Sequence, residues 1–176
     1  FILAGLMKSR EASVLVFDMH NEYGFGDWSP NTGVKVPGLK DKFPSTVKVV
    51  GLGIGKSIHG NKVDIDLVLQ TTDIQPADIE MLAGELNLRD TTGTTLHHLH
   101  NQFGRSWFEK FKEMGRSGDD ALVDWAQGQK LNENAVASLY NKLGKVFDKP
   151  YIRANAAGKP VEEIIQTLSE GHSVIL

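Results

Sequence analysis

Val14-Leu15-Val16-Phe17 runs without a polar break into Asp18-Met19-His20-Asn21-Glu22-Tyr23. An apolar run of this kind fits a strand buried on both faces, and such strands belong to parallel sheets covered by helices. That narrows the fold to the α/β class. In these sheets the carboxyl ends of the strands open onto the crevice where ligands bind. An acid, an imidazole, an amide, a second acid and a phenol therefore fall where chemistry is placed. Two readings stay open on the pattern alone. Either Asp18, His20 and Glu22 act on a ligand, or they cap the loop and bond its turn amides.

The flanking segments agree with an α/β unit. Residues 1–10 read as the last turns of a helix, with Lys8 and Arg10 near its C-terminal dipole. Residues 13–18 follow as the opening strand. From Tyr23 to Pro44 turn formers dominate, among them Gly24, Gly26, Pro30, Gly33, Pro37 and Gly38, and a long loop is expected with Trp28 and Phe43 pinning it to the body. Thr46–Leu52 and Lys62–Leu69 read as two strands. Val63, Ile65, Leu67 and Leu69 keep a period of two, which predicts an antiparallel hairpin over 46–70.

The connection between those strands holds Gly55-Lys56-Ser57, which imitates the end of a phosphate-binding loop. The full pattern requires a glycine where Val50 stands, and a helix must follow. The residues that follow alternate as a strand, so the match is read as a decoy.

The period then changes. Pro76 opens a helix with Ile79, Leu82, Ala83 and Leu86 on its apolar stripe. A second helical stretch runs from Thr94 to Met114 and weakens at Gly104. A third covers Asp119–Gln127. A fourth is capped by Asn132 and carries Val136, Leu139, Tyr140, Leu143, Val146 and Phe147 at helical spacing. Trp107, Phe108 and Phe111 read as core rather than as a base-stacking surface. Tyr151-Ile152-Arg153 reads as a short strand. Pro160 opens a last helix with Val161, Ile164, Ile165 and Leu168 inside and Gly171 as its stop, and Ser173–Leu176 reads as another buried strand. The expected organisation is an α/β core segment with its strand and acidic loop (1–45), a β-hairpin (46–70), a helical insert (71–149) and a return to the core (150–176).

Composition excludes several classes. With no cysteine there is no disulfide and no thiolate metal site, and a reducing, cytoplasmic compartment is expected. A net charge of −3 supplies no electrostatic case for nucleic acid. No apolar run approaches the roughly 20 residues that span a bilayer, so no membrane partner is expected. His97 and His100 lie one helical turn apart with His98 beside them, but no acid or further histidine completes a zinc set in sequence. The apolar start and the strand-like end at Leu176 suggest a piece of a longer protein.

Val14–Tyr23 resembles the signature of the HerA–FtsK superfamily, a strand followed by Asp-x-His-Gly-Glu-Tyr, with Asn21 here in the glycine's place. Asp73–Leu82 with Glu85–Leu88 resembles the start of the helical insert in HerA-type ATPases, and Val161–Leu176 resembles the helix and strand that return to the core. The resemblance implies a partial RecA-like P-loop ATPase core with a β-hairpin and a helical insert. It implies ATP and Mg²⁺ as cofactors, double-stranded DNA as partner and a homo-hexamer for the full-length protein. In the family the Walker A loop precedes the helix that ends here near Arg10, and Walker B and the arginine finger follow the strand that ends here. Asp18, His20 and Glu22 would then sit beside the γ-phosphate as catalytic residues, the acids positioning water or metal. The alternative is a non-catalytic module whose helical insert docks a nuclease or effector.

Overall fold

A computed structural model of the chain describes residues 2–89 and 91–176, so Phe1, part of the expected first helix, lies outside the described residues. The chain divides into two units, Phe1–Val68 with Ala157–Leu176, and Leu69–Ala156. The first unit opens with α1 (Ile2–Ser9), β1 (Leu15–Val16), β2 (Asp27–Trp28), β3 (Lys35–Val36) and α2 (Leu39–Lys42). It continues with β4 (Val47–Leu52), β5 (Ser57–Ile58), β6 (Asn61–Lys62) and β7 (Ile65–Leu67). The second unit holds β8 (Leu69–Gln70), α3 (Pro76–Met81), α4 (Thr92–Phe103), α5 (Trp107–Arg116), α6 (Asp119–Gly128), α7 (Glu133–Phe147) and β9 (Ile152–Arg153). The chain then returns to the first unit with α8 (Pro160–Ser169) and β10 (Ser173–Ile175).

The first unit is built on a parallel sheet of order β1-β10-β4-β7. Leu15 pairs with Val174, Ser173 with Val47, and Val50 with Ile65. The fold is therefore α/β, and β10, all three of whose residues are buried, is central as its apolar sequence requires. On one face Met7 of α1, Leu39 of α2, Val47 and Ile175 make a core with Val16 and Phe43 packed against it. β1 departs from the expectation of burial on both faces. It lies at the edge of the sheet, and Leu15 and Phe17 are exposed, the latter at 72%. Val16 packs against the core formed with α1 and α2.

Two further expectations are corrected. The antiparallel hairpin over 46–70 does not form, because β4 and β7 run parallel. Alternation specifies which face of a strand is buried, not its direction, and the residues between Leu52 and Ile65 suffice for a crossover. That connection carries a small antiparallel hairpin of its own, β5 with β6, turned by His59 and Gly60 at φ 50 and 79. The long loop over 23–44 is also more ordered than its turn formers suggest. It contains the β2–β3 hairpin and α2, tied together by Asp41, whose Oδ2 accepts from the amides of Gly26 (2.7 Å) and Gly38 (2.9 Å). Trp28 is exposed and pins nothing; Phe25, packed with Val49 and Val63, and Phe43 anchor the segment instead.

In the second unit Trp107, Phe108, Phe111, Leu96, Leu99, Val136 and Leu143 are fully buried in one core. The aromatic residues meet edge to face, with Trp107 and Phe108 centroids 5.5 Å apart, and the indole N–H of Trp107 donates to the Ile74 carbonyl at 2.8 Å. These aromatics are core, as their spacing predicts. The break at Gly104 (φ 54) separates α4 from α5. Asn132 caps α7 by accepting from the Ala135 amide at 3.0 Å. Leu82, Val161 and Ile165, expected inside, are exposed. Gly171 at φ 87 ends α8 as expected.

Candidate functional site

β1 delivers Asp18 to the carboxyl end of the sheet. The Asp18 amide donates to the Leu176 carbonyl at 2.6 Å, which extends the ladder one step past the paired strands. The chain then turns. The Asn21 amide donates back to the Asp18 carbonyl at 3.3 Å, and Asn21 takes φ 57. That left-handed conformation suits glycine and, among other residues, best suits Asn and Asp. The Asp18 carboxylate closes the turn: Oδ1 accepts from the Glu22 amide (3.0 Å) and Oδ2 from the Tyr23 amide (2.8 Å). Asp18 is only 9% exposed. Each of its oxygens keeps a second acceptor position after these bonds. His20 and Glu22 are exposed, and their side chains have no hydrogen-bond or ionic partner among the described residues.

The loop separates the two acids. Asp18 borders a recess of about 470 Å³ at the ends of β1, β10 and β4, together with Asn21, Lys56, Ser57, Met19 and Leu52. Glu22 and Tyr23 border a second recess, also about 470 Å³, against Leu3 of α1 and Leu39. The two carboxylates thus face different spaces.

Two contributions to this region are absent from the sequence reading. Lys56 and Ser57, set aside with the decoy, are followed by β5 and so open no helix, but they wall the recess that holds Asp18. Gly51 makes this possible, since a Cβ there would stand 2.8 Å from Cβ of Lys56. His59, at the tip of the β5–β6 hairpin, reaches the motif loop. Its Nε2 lies 2.8 Å from the Asn21 carbonyl oxygen, and its Nδ1 lies 3.3 Å from Oδ2 of Asp27. Chain neighbours carry no signal of this contact, which joins residues far apart in sequence.

His97, His98 and His100 lie on α4, and Nδ1 of His98 is 3.2 Å from Oε1 of Gln129. Among the described residues no three His, Asp or Glu side chains come together as a metal-binding group, and no helix is long and apolar enough to cross a membrane.

A nucleoside triphosphate with Mg²⁺ needs a run of loop amides opening a helix, plus a cation. The recess beside Asp18 offers acceptors, Lys56 and Ser57, but no helix N-terminus, because the residues after Ser57 form β5. It fits one wall of such a site and not the phosphate cradle. The model of the family described as "Helicase HerA, central domain" matches residues 1–176. No curated protein and no solved structure matches the chain.

Proposed function

The chain belongs to the family of HerA helicase central domains, and from that membership we propose that it is a middle segment of the ATPase domain of an ATP-driven, cytoplasmic motor that translocates or unwinds double-stranded DNA. The family match over residues 1–176 carries this reading. The Asp18–Tyr23 loop at the carboxyl end of a parallel strand supports it, because that is where an α/β sheet binds its ligands. On this reading the phosphate grip and the Mg²⁺ ligands come from outside this segment, and a ring of subunits completes each site. Phosphoryl transfer asks the protein mainly for positioning and electrostatics. Glu22, unpartnered at the loop surface, orients water, and His20 beside it donates to a phosphate oxygen. Asp18 holds the loop that presents them.

The rival reading, a non-catalytic module that docks a nuclease or effector, is favoured by one observation: the Asp18 carboxylate is already engaged by two loop amides. Glu22→Gln and His20→Ala decide between them, since neither side chain holds the fold together. In the longer protein that this reading requires, each variant should lower the kcat for ATP by at least about 10²-fold with unchanged thermal stability. Undiminished turnover in both variants would leave the loop as a structural cap and overturn the motor role of these residues. The 176-residue chain by itself should show no turnover.

A further inference from the structure

We propose that His59 is a positioning residue for the acidic loop, a clasp at the tip of the β5–β6 hairpin. Three observations converge on it. The ring meets the motif loop at its most constrained residue, Asn21, through that residue's carbonyl (2.8 Å), so the contact acts on the main chain of the left-handed turn. The other ring nitrogen faces the Asp27 carboxylate at 3.3 Å on β2, so the clasp links the hairpin, the acidic loop and the β2–β3 hairpin. The tip is shaped for the reach, since His59 and Gly60 both take positive φ, and the Asn61 side-chain amide donates to the His59 carbonyl at 3.2 Å.

The carbonyl that the ring reaches belongs to the residue that turns the chain, so the contact supports from outside the loop the turn that sets the Glu22 and Tyr23 amides against Asp18. With a side chain too short to reach, that turn is held by the loop's own bonds alone. Any effect on phosphoryl transfer rests on the proposed motor function; the clasp itself does not.

The test is amide hydrogen exchange by NMR on the 176-residue chain without nucleotide, so it can fail while the motor reading stands, and the reverse. His59→Asn keeps a residue tolerant of positive φ but is too short to reach Asn21, and protection of the Glu22 and Tyr23 amides should fall by about tenfold. His59→Gln keeps an amide N–H donor of longer reach and should restore part of that protection. Unchanged Glu22 and Tyr23 protection in His59→Asn overturns the proposal. So does His59→Gln protection as low as that of His59→Asn. Equal loss at the Ile58 and Asn61 amides in His59→Asn would assign the effect to the hairpin alone and likewise overturn it.

Discussion

Asp18 and Asn21 divide the work of one turn. Asp18 was legible in the sequence as a residue of interest, and of its two open readings the bonds to the turn amides are the one its geometry displays. It lies at the end of a strand facing a recess, and its carboxylate binds the amides of Glu22 and Tyr23. Asp18→Asn keeps one carbonyl acceptor and turns an N–H donor toward an amide that needs an acceptor. It should cost about 1–3 kcal/mol in urea unfolding, the range for a buried donor left unpaired. Loss of activity in that variant therefore mixes chemistry with loop stability, which is why Glu22→Gln is the cleaner probe. Asn21 makes a separate prediction. Because His59 bonds its carbonyl rather than its side chain, Asn21→Gly preserves that contact and should change stability by no more than about 0.5 kcal/mol, whereas Asn21→Val places a β-branched residue at φ 57 and should cost about 1–3 kcal/mol. Equal stabilities for the two variants, measured by the same unfolding, would remove the left-handed turn from the account.

At the scale of elements, period was readable and direction was not. The apolar spacing of Val136, Leu139, Leu143 and Phe147 placed α7, and the cap at Asn132 marked its start, because both signals are local. The pairing of β4 with β7 is not local. Val63, Ile65 and Leu67 are buried under either strand direction, and the twist in topology lies in a glycine-rich connection whose residues the period does not describe. Gly51 holds the information that was missed. It lets Lys56 lie against the end of β4, and a methyl there would also stand 3.1 Å from the Val63 side chain. Gly51→Ala should therefore destabilise the first unit by about 1–3 kcal/mol, the cost typical of overpacking. It should also broaden the NMR signals of Ser57–Lys62 before those of β10. Sharp hairpin signals in a destabilised variant would show that the strain is borne by the sheet instead.

At the scale of the whole chain, the second unit was visible as a run of amphipathic helices, but its closure was not. Leu69 and Gln70 pair with Ile152 and Arg153, and the Gln70 side-chain amide donates to the Ala156 carbonyl at 2.9 Å, so the chain enters and leaves the unit side by side. The strand at Ile152 and Arg153 was readable from its residues, but its partner was not, because parallel pairing across a helical segment leaves no turn to mark it. A unit whose ends meet and whose core is its own has the anatomy of a segment that folds independently. Its core is contiguous: Trp107, Phe108 and Phe111 from α5, Leu96 and Leu99 from α4, and Val136 and Leu143 from α7 are all fully buried within it. Leu69–Ala156 expressed by itself should therefore unfold cooperatively in urea with a dispersed NMR spectrum. In the 176-residue chain, Trp107→Ala empties a fully buried indole site and removes the donor to Ile74, which should cost this unit about 3–5 kcal/mol. The first unit draws its core from Met7, Leu39, Val47 and Ile175 and shares none of those contacts, so its amide protection should survive the change. If the excised unit is a collapsed state without fixed packing, or if Trp107→Ala unfolds both units in a single transition, then the two cores are one cooperative body and the division at Leu69 and Ala156 is only one of contact density.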